Sequence, residues 1–256
     1  MRTNWRDQKE DVLRRYQEVG YVVLPGFLSV DEMDNLRINM ARFIAEIVPS
    51  MPGKHVFYED KSKPETLKQM QDLFRYDPYF EQMTFHSEFE ALAEFLMQDK
   101  VVAQNLQYFN KPPGVGQPTP PHQDGYYFML NPCDALTMWL ALETVDEETG
   151  CVRYLPGSHL RGVRPHQRTT TLGFSQGISD YGESDQAVEV PIPAHPGDLL
   201  VHHAMTIHRA NGNRSTTRTR QAMGFVYYGV NAREDKAAKA AYQEKLTREM
   251  TESGKI

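Results

Sequence analysis

The segment PTPPHQDGYYF places His122 and Asp124 two residues apart, and on an extended strand an imidazole and a carboxylate at that spacing share one face. Such a pair can approach one divalent cation together. Alone the pattern is weak, because short polar pairs at strand ends are common; a third ligand changes its weight. The downstream segment HPGDLLVHHAMTIHRANGN offers His202, His203 and His208. Two histidines and one carboxylate that leave coordination positions open are the donor set of non-haem Fe(II) oxygenases, whereas a closed structural zinc site needs a fourth protein ligand. A carboxylate-bearing co-substrate would also need an anchor, and a guanidinium holds one through two parallel hydrogen bonds where a lysine offers a point charge. Arg218 and Arg220 are the available forks. Both open the strand pattern RTRQAMGFVYYG on the same face, so periodicity does not choose between them.

The elements that must position these groups fall into two regions. WRDQKEDVLRRYQE carries Trp5, Val12, Leu13 and Tyr16 near one helical face, stops at Gly20, and leads into a short strand, YVVLPG. Ser29, with Glu32 three residues on as a capping-box partner, opens a longer amphipathic helix through Leu36, Met40, Phe43, Ile44 and Ile47. Residues 50–64 read as a loop that could lie over a pocket, and short helical patterns run from about 65 to 98. From there VVAQNLQYFN, GYYFML, ALTMWLALE, CVRYLPG, AVEVPIP, DLLVHHA and RQAMGFVYYG alternate with Pro, Gly and Asp as β-strands. The fold expected is mainly β with flanking helices: an antiparallel double sheet of the jelly-roll, cupin-like kind, or double-stranded β-helix. One domain would span 1–256, with a helical part to about 98, the jelly-roll core at about 99–230 and a solvated or edge-docked helix at about 232–250. Residues 161–186 read as an irregular insertion near the sheet mouth.

A formal charge of −6 over 256 residues argues against a broad nucleic-acid or anionic-membrane surface, though it leaves room for a local basic pocket. The only cysteines, Cys133 and Cys151, suggest neither a disulfide framework nor a zinc module and read as small buried hydrophobes. No run approaches the roughly 18–20 apolar residues that a membrane helix needs, and the N-terminus is charged, so a cytoplasmic location is expected.

Across GYVVLPGFLSVDEMDNLR, NKPPG, PHQDGYYF, LTMWLALETVDEETGCVRYLPGSH, PGDLLVHHAMTIHRANGNRS and RQAMGF, in that order, the sequence resembles the phytanoyl-CoA dioxygenase-like branch of the Fe(II)- and 2-oxoglutarate-dependent oxygenases. The resemblance implies that His122, Asp124 and His208 bind Fe(II), with His202 and His203 structural. It also implies that Arg220, the arginine preceding QA, anchors 2-oxoglutarate, that Trp139 lies near that co-substrate, and that Gln123 matches a residue between the first two ligands. The implied reaction consumes dioxygen and 2-oxoglutarate, releases succinate and carbon dioxide, and hydroxylates a C–H bond of a small organic substrate. The intact Asp124 favours hydroxylation over halogenation, since related halogenases carry a small residue there. Two departures stand out: Ala210 replaces a serine frequent in relatives, and the interval from His208 to the arginine is longer.

Further candidates come from position. Strand alternation sends Tyr126 to the face of Asp124, toward substrate or into core packing; Lys111 of NKPPG lies before the ligand strand, toward co-substrate, substrate or a surface ion pair; and Arg161, with Arg164, His166 and Arg168, could meet an anionic substrate or sit in a solvated loop. His159 reads as a structural hydrogen-bonding residue. The partner expected is a small molecule, polar or anionic, with no nucleic acid and no membrane. Two rivals use the same ligands: a metal-dependent cupin-like isomerase or hydrolase that ignores 2-oxoglutarate, and a non-catalytic metal and 2-oxoglutarate sensor.

Overall fold

The computed structural model describes residues 4–169, 171 and 176–252. Helix α1 (Lys9–Val19) ends at Gly20, whose φ of 85° is the left-handed cap that turns the chain into strand β1 (Tyr21–Leu24). The capping box expected at Ser29 is present: its hydroxyl accepts from the Glu32 N–H while Glu32 Oε2 accepts from the Ser29 N–H at 2.8 Å, and helix α2 (Val30–Glu46) starts there.

The 50–64 stretch read as a loop is irregular apart from one short strand, and a second strand falls where helical patterns were expected. Strand β2 (Val56–Tyr58) pairs antiparallel with β3 (Leu67–Met70) before helices α3 (Pro78–Thr84) and α4 (Glu88–Met97). All four residues of β3 are buried, so the strand shows no polar alternation to read. The mainly helical first hundred residues thus also supply three strands.

Then come β4 (Val101–Asn110), β5 (Thr119–His122), a short helix α5 (Asp124–Phe128), β6 (Leu130–Asn131), β7 (Ala135–Ala141) and β8 (Val152–Tyr154). The 161–186 interval contains a hairpin, β9 (His166–Arg168) with β10 (Gln176–Ile178), and a helical turn α6 (Glu183–Gln186); residues 170 and 172–175 of it lie outside the described residues. The chain closes with β11 (Val190–Ile192), β12 (Leu199–His203), β13 (His208–Ala210), β14 (Gln221–Gly229), β15 (Arg233–Glu234) and α7 (Lys236–Glu252). No described helix is long and apolar enough to cross a membrane.

Two antiparallel sheets form the jelly roll: a seven-stranded one ordered β1-β12-β7-β14-β4-β3-β2 and a four-stranded one ordered β11-β8-β13-β5. Both edges of the smaller sheet carry proline, Pro120 and Pro121 in β5 and Pro191 in β11, as expected where no further strand needs an N–H.

Alternation sorts the larger sheet into two faces. Leu136, Met138, Leu140, Met223, Phe225 and Tyr227 join one core with Leu36, Met40 and Phe43 of α2 and Phe89, Leu92 and Leu96 of α4. Their neighbours in sequence, including Thr137, Trp139, Val226 and Tyr228, turn inward toward the cavity between the sheets. The helix layer therefore holds the back of the wall that carries the site. Phe225, fully buried, stacks on Phe89 with ring centroids 4.0 Å apart. Phe225→Ala should destabilise the protein by about 3–5 kcal/mol in urea titration, since the rigid sheet cannot collapse into the cavity left behind.

Candidate metal centre and its cavity

Strands β5 and β13 bring the distant histidines together. Their register sets His208 directly opposite His122, with ring centroids 4.2 Å apart. Each ring is fixed by its own backbone: His122 Nδ1 donates to the Pro120 carbonyl at 2.8 Å and His208 Nδ1 to the Thr206 carbonyl at 3.0 Å. A carbonyl can only accept, so each ring carries a proton on Nδ1, and the lone pair that a neutral imidazole offers a metal is on Nε2. Asp124 Oδ1 lies 3.4 Å from His122 Nε2 and 3.8 Å from His208 Nε2. Among the described residues these three are the group whose donor atoms, all within 4.8 Å of one another, could hold a metal ion.

Asp124 is not on a strand with His122, as alternation predicted. Strand β5 ends at His122 and Asp124 is the first residue of α5, tied down where the Gly125 N–H donates to the Ala204 carbonyl at 2.9 Å. The change of period also redirects the residues after it. In a helix, residues three and four on return to the same side, so Tyr127 and Phe128 line the cavity, while Tyr126, the residue expected there, stacks on His166 with centroids 4.1 Å apart.

His202, expected to be structural, takes part in the centre without joining the triad. It pairs across β12 and β7 with Thr137, and both side chains reach Asp124 Oδ2: Thr137 Oγ1 donates at 2.6 Å and His202 Nε2 at 3.1 Å. The Tyr154 hydroxyl donates to His202 Nδ1 at 2.9 Å, and burial, then the charge of Asp124, holds that phenol well above its ordinary pKa, so it stays a donor. One carboxylate oxygen is thus occupied by protein and the other is left for the shared space. The sequence did carry a signal for this: adjacent strand residues face opposite ways, so one of His202 and His203 had to point inward. His203 points outward, accepting from the Met205 N–H at 3.0 Å, and His159, as expected, is structural, its Nε2 donating to the Gln17 carbonyl at 3.0 Å.

Electrostatics match a cation site. Burial pushes the Asp124 carboxyl upward, yet His208, then His122 and His202, hold it well below the usual carboxylate range. Burial, then His122 and His202, keeps His208 well below its ordinary value and hence neutral.

The triad opens on a cavity of about 960 Å³. At one end lies Arg220, 4% exposed, over the Trp139 ring with its guanidinium carbon 5.5 Å from the centroid; its Nε has no hydrogen-bond partner. Burial lowers its pKa to about 10. Lys111 lines the same end, its Nζ donating to the Asn211 carbonyl at 2.7 Å, and burial, then repulsion from Arg220, brings it well below its ordinary value. The two arginines differ in place: Arg220 lines the cavity, whereas Arg218 is partly exposed and pairs with Asp146 at 2.8 Å and with Glu148. A register shift between His208 and Ala210, followed by the irregular 211–220 segment, absorbs the longer interval.

Two expected contributors lie elsewhere. Gln123 is fully buried but faces away from the cavity, donating to the Gly162 and Met205 carbonyls at 3.0 and 2.8 Å and accepting from the Arg164 N–H at 2.8 Å; it pins the loop rather than a ligand. Arg161 ends a short 3-10 turn at the surface and does not line the cavity, whereas Arg168 on β9 does. Helix α7, expected to be solvated or edge-docked, brings Lys236, Lys239 and Tyr242 to the cavity, with Tyr242 against Tyr127 at 6.5 Å.

Because His202 fixes Asp124 through the oxygen that the triad does not use, His202→Ala should weaken Mn(II) binding by about 10–100-fold in calorimetric titration with all three candidate ligands intact. Wild-type affinity in that variant would mean that the Asp124 carboxylate is oriented without it.

Comparison with known proteins agrees with this architecture. The family model described as Phytanoyl-CoA dioxygenase (PhyH) matches residues 16–222. Phytanoyl-CoA dioxygenase domain-containing protein 1 of Bos taurus is 30% identical, the alignment covering 83% of this chain and 87% of that one. Among solved structures, the non-heme alpha ketoglutarate dependent carbocyclase SnoK from nogalamycin biosynthesis superposes with a TM-score of 0.73 at 26% identity, covering 91% of this chain and 88% of that one. The epimerase SnoN, solved with Fe3+, alpha ketoglutarate and nogalamycin RO, gives 0.69 at 26% identity over 89% and 86% of the two chains. With the double sheet, the histidine and aspartate cluster and the buried arginine in these positions, the chain belongs to the phytanoyl-CoA dioxygenase family.

Proposed function

We propose that the protein is an Fe(II)- and 2-oxoglutarate-dependent oxygenase that hydroxylates a C–H bond of a small organic substrate, releasing succinate and carbon dioxide. The observation that carries the reading is the pairing of two features in one cavity: three donors whose electron pairs face a common space, and a buried guanidinium that forms no ion pair among the described residues. The donor set suits iron. One carboxylate oxygen and two imidazole nitrogens leave coordination positions open, and among the described residues no fourth protein ligand closes them. A buried, unpaired arginine is costly unless an anion joins it, which is what the far carboxylate of 2-oxoglutarate would do.

In this reading His122, Asp124 and His208 hold the metal, and Thr137 and His202 hold Asp124. Arg220 grips the co-substrate, with Trp139 packed beneath the guanidinium and Lys111 adding positive charge at the same end. When bound, iron and 2-oxoglutarate supply the oxygen activation and the electrons that the side chains cannot. Phe128, Val226 and Tyr228 give the chamber apolar walls that keep water from the reacting centre. Asp124, present where a halogenase needs a small residue, supports hydroxylation.

Asp124→Ala should abolish Fe(II)-dependent succinate formation. Arg220→Leu should raise the 2-oxoglutarate KM about 30-fold or more, the cost of removing one partner of a buried charge pair. Full turnover by Asp124→Ala would remove the triad, and product formation without oxygen and 2-oxoglutarate would favour a metal-dependent isomerase or hydrolase.

A further inference from the structure

The cavity wall beyond the triad has a composition that the oxygenase reading does not use. Along the inner face of the large sheet, Trp139 pairs with Gly224 and Gly224 with Gln107, while Thr137 pairs with Val226 and Val226 with Asn105. One strand further, Gln69 on β3 lies between Phe57 on β2 and Phe109 on β4, and all three line the cavity. The β2–β3 hairpin therefore extends the wall past the metal centre as a shelf of carboxamides flanked by two aromatic rings.

The amides are ordered, and their unused valences are defined. Asn105 Oδ1 accepts from the Asp72 N–H at 3.0 Å, which leaves its NH₂ as the remaining group. Gln69 Nε2 donates to Gln107 Oε1 at 3.1 Å, and Gln69 Oε1, in a side chain only 4% exposed, has no partner. Turning both glutamine amides over together would exchange the labels but still leave one donor and one acceptor of that pair unused. Gly224 makes room for this arrangement: a Cβ there would lie 2.8 Å from the Phe109 ring and 3.2 Å from Gln107 Cγ.

We infer that the shelf binds a polyhydroxylated ring, a sugar or cyclitol unit, and presents it to the metal centre. Neighbouring hydroxyls donate and accept in turn, matching an amide row that offers both, and the C–H faces of such a ring pack on aromatic side chains. A fatty acyl chain laid on the same wall would strip water from the amides and replace none of their hydrogen bonds, leaving the buried Gln69 oxygen unpaired. An anion would find neutral dipoles on the shelf: of the buried cations that line the cavity, Arg220 and Lys111 are at the co-substrate end, and Lys68, near Lys111, is already paired with Glu59 at 2.9 Å.

The inference rests on the oxygenase reading for the position of the reacting centre, and its test separates the two. Full-length protein loaded with Zn(II), a diamagnetic stand-in for iron, and 2-oxoglutarate is examined by saturation-transfer NMR with methyl α-D-glucopyranoside, myo-inositol, octanoate and octanoyl-coenzyme A. The expected result is transfer to the two polyols, with Gln69→Leu, Gln107→Leu and Gly224→Ala each weakening polyol binding about fivefold or more, the value of one lost hydrogen bond. Melting temperature and 2-oxoglutarate affinity report whether fold and co-substrate site are intact in each variant. Absence of polyol transfer in the wild type, transfer confined to octanoate or octanoyl-coenzyme A, or polyol binding undiminished in the variants would overturn the shelf. So would parallel loss of 2-oxoglutarate binding in both glutamine variants, which would place the amides at the co-substrate. Failure of the wild type to bind 2-oxoglutarate would contradict the oxygenase reading instead.

Discussion

The antiparallel register between β5 and β13 is the constraint on which the rest depends. It places two histidines from distant parts of the sequence opposite each other, and the end of β5 at His122 places Asp124 between them. A slip of one residue would turn a ring away, because side chains alternate across a strand. The backbone carbonyls of Pro120 and Thr206 then fix both imidazoles in the tautomer that keeps the lone pair on Nε2. Geometry and tautomer thus come from the same two short strands and the turn that leads into β13. The prolines of β5 are compatible with this because β5 is an edge, with no further strand to pair.

The charge arrangement is asymmetric in an informative way. Asp124 has His202 and Thr137 on one oxygen and the triad histidines near the other, so its burial is compensated by neighbours within the protein. Arg220 has less such compensation: it is buried over an aromatic ring with an unpartnered Nε, Glu143 acts on it without forming an ion pair among the described residues, and Lys111 beside it adds like charge. A chain with a net charge of −6 thereby keeps an electropositive end inside its cavity. Proteins rarely bury a cation without an anion, and here the anion is best supplied by a ligand.

Much of this was legible in the sequence. The jelly-roll strands read correctly where runs of β-prone residues are set off by Pro, Gly and Asp, as in β4, β7, β12 and β14. Spacing alone identified the metal-binding segments but left three histidines and two arginines as alternatives. The family resemblance selected His208 and Arg220, and the structure places both on the cavity. What was missed has local causes. GYYF is rich in strand-prone aromatics, yet the chain coils there, so Tyr127 and Phe128 replace Tyr126 on the inner side. Gln123 is turned from the cavity into the loop it pins, and the inward place of His202 was hidden by its outward neighbour. The hairpin that builds the amide shelf was invisible because its strands are short and LKQM of β3 lacks the β-branched and aromatic residues that mark a strand.

The central claim is that one oxygen of Asp124, with His122 and His208, forms an open metal site served by Arg220. The most direct measurement is a crystal structure of the protein grown anaerobically with Mn(II) and 2-oxoglutarate. It should show the metal bonded to His122 Nε2, Asp124 Oδ1 and His208 Nε2, His202 still bonded to Oδ2 and off the metal, and the far carboxylate of 2-oxoglutarate on Arg220. A metal ligated by His202, or 2-oxoglutarate bound away from Arg220, would contradict the account.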